Sequence, residues 1–271
     1  MSTNRTDKIG IILTSIIHSL FIFINELYGP YALLSIVNNY LETICINHSI
    51  IANSTEEIKI LNESLTNINF EQMYVSFSSL ILNVEKLPDA CHVDPSLEKL
   101  TNSGEWKFYG LFLMGRAVEK NIKSRLDVSH ILYGIKDVWN VFITILKPGA
   151  RILPHKSITK GLLRFMMPFD KQNLLLEIFP DTSHGETFGE MELEAKKSQS
   201  AKILLDREII FDPTVIHSIH NQGSKWCMIL VIDIIRPLKE FAFAVNRMSL
   251  GLAAKHQLID YALKVAECID I

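Results

Sequence analysis

At 271 residues, with 48% hydrophobic and 21% charged residues, the chain is long and apolar enough to bury one large core, which excludes an intrinsically disordered protein. A net charge of −3 and a pI near 6.3 exclude the basic-patch footprint of a nucleic-acid-binding protein. The four cysteines, Cys45, Cys91, Cys227 and Cys268, lie far apart with no CxxC pair, so they read as reduced thiols of a cytoplasmic protein and not as a zinc site or a disulfide framework.

Behind the basic start MSTNRTDK, Ile9 to Ile24 forms a run of sixteen mostly apolar residues. It falls short of the roughly 20 residues that a spanning helix needs. His18 sits in its middle, and no small-residue cleavage site follows it. The run therefore reads as a buried core helix, with membrane association the less favoured alternative. Gly29-Pro30 punctuates the sequence, and Tyr31 to Ile46 then carries Leu33, Leu34, Ile36, Val37, Leu41, Ile44 and Cys45 at helical spacing. Two further amphipathic stretches follow, at about Thr55–Leu65 and Phe70–Val84, and a polar connector covers about 86–105. Matches to the glycosylation pattern at 47–49, 53–55 and 62–64 arise readily by chance in an Asn-rich segment.

From Trp106 the texture changes. WKFYGLFLM (106–114) and WNVFITIL (139–146) are aromatic and β-branched runs of the strand type, with a polar, helix-compatible stretch from Arg116 to His130 between them. Further strand-like segments fall at Leu162–Phe169, Leu174–Ile178, Lys202–Leu205, Ile209–Phe211, Val215–Ile219 and Trp226–Ile235. Residues 181–200 are polar and read as a surface loop, and Glu240–Ile271 as one or two closing helices. The predicted architecture is α+β. A double-stranded β-helix, of the jelly-roll or cupin-like kind, spans 101–240, between a helical N-terminal region at 1–100 and a C-terminal helical segment at 241–271.

Two strand ends each deliver a histidine. PGARILPH ends on His155, and IIFDPTVIH ends on His217, 62 positions later. Facing strands of a barrel can bring two such imidazoles onto one metal ion, and imidazole suits iron, copper and zinc. Non-haem iron oxygenases usually add a carboxylate two residues after the first histidine, where Ser157 stands here. On spacing alone, a pair of structural histidines is the better reading.

The flanking residues carry more information. PGARILPHKSITKGLLR, IIFDPTVIHSIHN and VIDIIRPL, with LFLMGRAVEKN upstream, together resemble the aspartyl/asparaginyl β-hydroxylase family, in particular its lipid A 2-hydroxylase branch, over roughly residues 105–240. Members of that family are double-stranded β-helix oxygenases dependent on iron(II) and 2-oxoglutarate, and they bind iron through two histidines alone. The resemblance therefore implies His155 and His217 as iron ligands, and Arg164, Thr144 and Lys160 as contacts of the cosubstrate or substrate. Asp212 matches the first acid of the family's FDD signature and would orient the turn or the second histidine. Two positions depart from the pattern. Met166 stands where the family has a histidine, and Cys227 stands where it has the arginine that anchors the distal carboxylate of 2-oxoglutarate. Lys225 and Arg164 are possible replacements, and His220 is an additional imidazole near the second ligand. The implied activity is hydroxylation of an amino-acyl, acyl or small-molecule C–H bond with dioxygen. An iron oxygenase of the same fold without 2-oxoglutarate, or a non-catalytic binding module, stands as the alternative.

Overall fold

The computed structural model describes residues 3–44, 65, 68–169, 173–180 and 187–267. The fold opens with two helices, α1 (Thr3–Tyr28) and α2 (Pro30–Ile44). Gly29 turns the corner between them at φ +83°, a conformation that a β-carbon resists. Pro30 then starts α2, where its missing N–H costs nothing. Helices α3 (Phe70–Phe77), α4 (Ser79–Leu82) and α5 (Ala90–Val93) lead into the strands. Asn69 caps α3 by accepting from the Gln72 amide.

Ten strands follow: β1 (Trp106–Leu113), β2 (Arg116–Ala117), β3 (Val138–Leu146), β4 (Arg151–His155), β5 (Leu162–Pro168), β6 (Leu174–Phe179), β7 (Ala201–Leu204), β8 (Ile209–Phe211), β9 (Ile216–Asn221) and β10 (Cys227–Ile235). They form a six-stranded sheet in the order β2-β1-β3-β10-β5-β8 and a four-stranded sheet in the order β4-β9-β6-β7. Every pairing is antiparallel. Between β2 and β3 lie α6 (Glu119–Ser124) and α7 (Leu126–Tyr133). Helix α8 (Phe188–Lys197) joins β6 to β7, and α9 (Glu240–Ala253) and α10 (Gln257–Ala266) come last. The fold is α+β, a two-sheet jelly roll with helices at both ends.

The period of two places each strand's side chains on opposite faces. The outer face of the larger sheet, with Tyr109, Leu111, Ile143, Ile145, Phe165, Leu230 and Ile232, packs on Met73, Phe77, Leu80, Val128 and Leu132 of the helices. Its inner face, with Trp106, Phe108, Leu146, Met166, Ile229 and Val231, meets Ile152, Leu174, Leu176, Ile178 and Ile219 of the smaller sheet. Because β10 is covered on both sides, it reads CMILVIDII, a continuous apolar run instead of an alternating one.

Asn221, fully buried at the end of β9, ties the β3–β4 and β9–β10 loops together. Its Nδ2 donates to the carbonyls of Leu146, Lys147 and Lys225, and its Oδ1 accepts from the Gly223 amide. Asn221→Ala would leave several of these groups buried without partners. A loss of about 2–3 kcal/mol in urea unfolding is expected.

Some sequence expectations are corrected. The stretch 181–200 is not all loop, because α8 occupies Phe188–Lys197. A capping box starts it, with the Thr187 side chain accepting from the Glu190 amide and the Glu190 carboxylate accepting from the Thr187 amide. Helix α1 is not buried all round. Phe21 and Asn25 are covered, while Ile16, Leu20, Phe23 and Leu27 are exposed. No helix among the described residues is long and apolar enough to cross a membrane. Arg116 and Ala117 form a short strand rather than the start of a helix. The predicted helix at about Thr55–Leu65 and the glycosylation matches fall outside the described residues, apart from Leu65 itself.

Candidate metal centre

Strands β4 and β9 lie side by side with His155 directly opposite His217. A register shift between Ile152 and His155 aims the first histidine, a common use of a bulge beside a functional site. The two ring centroids are 4.4 Å apart, with planes inclined by 50°. Each ring is held the same way. His155 Nδ1 lies 2.8 Å from the Leu153 carbonyl, and His217 Nδ1 lies 2.8 Å from that of Val215. A carbonyl can only accept, so both Nδ1 atoms carry the proton and both Nε2 atoms present a lone pair. His217 is wholly buried and its Nε2 has no hydrogen-bond partner. Phe211 packs edge-on against the His217 ring at 5.0 Å, and Ile178 lies opposite it on β6.

Electrostatics keep the pair neutral. Burial lowers the His155 pKa to about 4, with Arg164 adding to the effect against the Leu153 carbonyl. Burial also drives the His217 pKa well below its ordinary value, reinforced by His155 and Arg164. Neutral imidazole with a tethered Nδ1–H is the form that ligates a metal. The metal-free protein is expected to lose stability as pH falls from about 6.5 toward 4. In that window the unfolded histidines take up protons that the folded ones refuse, which costs about 1.4 kcal/mol per pH unit per histidine. Urea midpoints between pH 7 and pH 5 measure the slope.

Arg164, on β5, shares the level of this pair, since it registers with Phe211 on β8. Its guanidinium is already engaged. Nε donates to Asp233 Oδ1 at 2.7 Å, and Nη2 donates to Oδ2 at 2.9 Å. Asn140 Nδ2 supports the same carboxylate at 2.8 Å, and the Asn140 Oδ1 accepts from the Met114 amide. Burial works against the charge on Arg164, but Asp233 outweighs it and raises the pKa. The sequence reading missed Asp233 and Asn140. The available signal was a lone acid inside the apolar run of β10, which must be paired if buried.

Thr144, Met166 and Cys227 all fall on the inner face of the larger sheet. The Thr144 hydroxyl accepts from the Trp106 indole N–H at 3.3 Å. The remaining sequence candidates lie elsewhere. His220 registers with Arg151 and Leu175, one residue out of phase with the inward Ile219, and so belongs to the outer face of the smaller sheet. Lys225 is exposed in the turn before β10. Lys160 lies in the β4–β5 loop, where its amide donates to Asn38 Oδ1 of α2. Asp212 orients a turn and not the histidine. It accepts from the Thr214 amide and hydroxyl and pairs with Arg236 at 2.6 Å. The Ser157 amide donates to the Pro213 carbonyl at 2.7 Å, joining the β4 exit to that turn.

Asp89, Cys91 and His92 form the one group of three potential ligands that lie together among the described residues. Asp89 is already bonded to the Lys107 ammonium at 2.9 Å, the Ser103 hydroxyl and the Gly104 amide. A cation there would face that ammonium, so the group reads as a structural anchor for β1.

The family model for aspartyl/asparaginyl β-hydroxylase matches residues 69–237, which is more than half of the sequence and spans every element of the histidine pair. The chain belongs to the aspartyl/asparaginyl β-hydroxylase family. It is also similar to the ornithine lipid ester-linked acyl 2-hydroxylase of Rhizobium tropici, at 20% identity over 189 residues. That match covers 68% of this protein and 61% of the relative's length. Among solved structures, SnoK, a non-heme α-ketoglutarate-dependent carbocyclase from nogalamycin biosynthesis, shares 10% identity at a TM-score of 0.44, over 69% of this protein and 86% of that one. A Pseudomonas putida prolyl-4-hydroxylase shares 8% identity at a TM-score of 0.38, over 67% of this protein and 100% of that one. Likenesses at that level carry no information on chemistry.

Proposed function

We propose that this family member is an iron(II)-dependent hydroxylase of a C–H bond in an acyl group, with the iron held by His155 and His217. The carrying observation is the buried His217 Nε2, which has no partner while its Nδ1–H is tethered, beside a second imidazole held identically. A buried acceptor left unpaired costs about 1–3 kcal/mol, and a metal ion is the natural group to satisfy two adjacent imidazoles. Bound iron supplies the oxygen-activating chemistry needed at an unactivated C–H bond. The protein's own residues orient the ligands through the Leu153 and Val215 carbonyls. Phe211 packs on the His217 ring and Ile178 registers opposite it, which gives the centre an apolar side. The acyl substrate is supported by the name of the Rhizobium tropici relative.

The residues do not fit 2-oxoglutarate, the cosubstrate that the family resemblance implies. Its distal carboxylate needs a buried cation, yet Arg164 is forked onto Asp233 and the deeper positions carry Met166 and Cys227.

Expression in a bacterial host under labelled dioxygen, followed by mass spectrometry of the lipids, tests the reading. Acyl groups bearing one labelled oxygen are expected with the wild type and not with His155→Ala or His217→Ala. Identical lipid profiles for all three proteins would overturn it.

A further inference from the structure

Strand register sorts the inner face of the larger sheet into levels. The first carries Asn140, Asp233 and Arg164 side by side, at the height of the histidine pair because Arg164 also registers with Phe211. The next carries Phe142, Val231 and Met166; then come Thr144, Ile229 and Pro168; the last carries Leu146 and Cys227, with Trp106 beside Leu146. The facing positions on the smaller sheet are Leu176 with Ile219, then Leu174 with Asn221. Asn221 spends its amide on three backbone carbonyls. Among the described residues, Arg164 is therefore the only ammonium or guanidinium on these levels, and both its Nε and Nη2 are bonded to Asp233. The nearby buried guanidinium of Arg236 is likewise held, by Asp212. A ligand that chelates a metal at the histidines and extends inward meets apolar side chains and one neutral hydroxyl, that of Thr144, which accepts from the Trp106 indole and keeps its own O–H to donate.

We infer that the co-reductant of this hydroxylase is a 2-oxo monocarboxylate with an apolar tail, and not the dicarboxylate 2-oxoglutarate. The inference rests on the iron reading above and names the electron source that the reading leaves open. A desolvated second carboxylate would sit without a cation beside Met166, Ile229 and Cys227, with the neutral Thr144 hydroxyl as its one donor on that level, whereas an aliphatic tail gains by burial there. The reaction balances. The substrate C–H bond breaks, and so does the bond between the oxo acid's carbonyl carbon and its carboxylate. One atom of dioxygen enters the new hydroxyl group, and the other enters the shortened carboxylate. Carbon dioxide leaves, and the hydrogen taken from carbon becomes the hydroxyl proton. The C–H bond and the decarboxylation each supply two of the four electrons that reduce dioxygen.

The test is anaerobic calorimetry on the full-length, iron(II)-loaded protein with 4-methyl-2-oxopentanoate and with 2-oxoglutarate, followed in parallel by the visible charge-transfer band. The branched monocarboxylate is expected to bind at least tenfold more tightly. Cys227→Arg is expected to invert that order, and if this buried substitution does not fold, the wild-type comparison decides alone. Equal or tighter binding of 2-oxoglutarate by the wild type overturns the inference and leaves the iron centre standing. So does iron uptake with no response to either acid. Failure to take up iron at all removes the iron reading and the inference together.

Discussion

His217→Leu is expected to abolish metal binding while leaving the metal-free protein as stable as the wild type, or more stable. In the metal-free protein, His217 buries an Nε2 lone pair without a partner, a cost of about 1–3 kcal/mol. Leucine fills a comparable volume with no polar atom to satisfy. It gives up one hydrogen bond to the Val215 carbonyl, worth about 1 kcal/mol. The net change should lie between zero and a gain of about 2 kcal/mol, read as a midpoint in urea. Iron uptake should be lost, since one of the two protein ligands is gone. A purely structural histidine behaves the other way, because its replacement by leucine costs stability and moves no metal affinity. The same logic applies less sharply to His155, which is less completely covered.

The second large effect concerns Asp233. Asp233→Ala strips a buried guanidinium of its bidentate partner and leaves the Asn140 amide without its acceptor. A loss of about 3–5 kcal/mol in unfolding free energy is expected. Replacing both partners at once, as Arg164→Met with Asp233→Leu, should recover most of that loss, because an apolar pair leaves no uncompensated charge. A double-mutant cycle in urea measures the difference. If Asp233→Ala alone were nearly neutral, Arg164 would be finding another anion or water, and the assignment of its guanidinium to Asp233 would fail.

Much of this molecule was legible before its structure. The β-branched and aromatic runs from Trp106 to Ile235 are strands, because a two-sheet sandwich buries at least one face of most of them, and their bounds fall within a residue or two of those expected. The histidine pair was legible through its flanks, and its cross-strand meeting follows from β4 and β9 being neighbours. Other features depend on partners remote in sequence. Asp233 meets Arg164 from 69 residues away, and Asn140, 24 residues before Arg164, joins them through the same carboxylate, so no local pattern linked the three. His220 stood as an additional imidazole near the site only because it lies three residues from His217. In a strand an odd offset reverses the face, so it points outward. Helix α8 was hidden in a polar segment whose capping box, Thr187 and Glu190, was the available sign of a helix start. The exposed stripe on α1 shows the same limit, since a run apolar on every side does not reveal which side the other helices cover.

The claim on which the rest depends is that His155 and His217 together hold one metal ion. Anaerobic titration of the metal-free protein with iron(II), comparing wild type, His155→Ala and His217→Ala by calorimetry, tests it most directly. One iron per protein molecule in the wild type and none in either variant is the expected result. Equal uptake by all three proteins, or no uptake by the wild type, would contradict it.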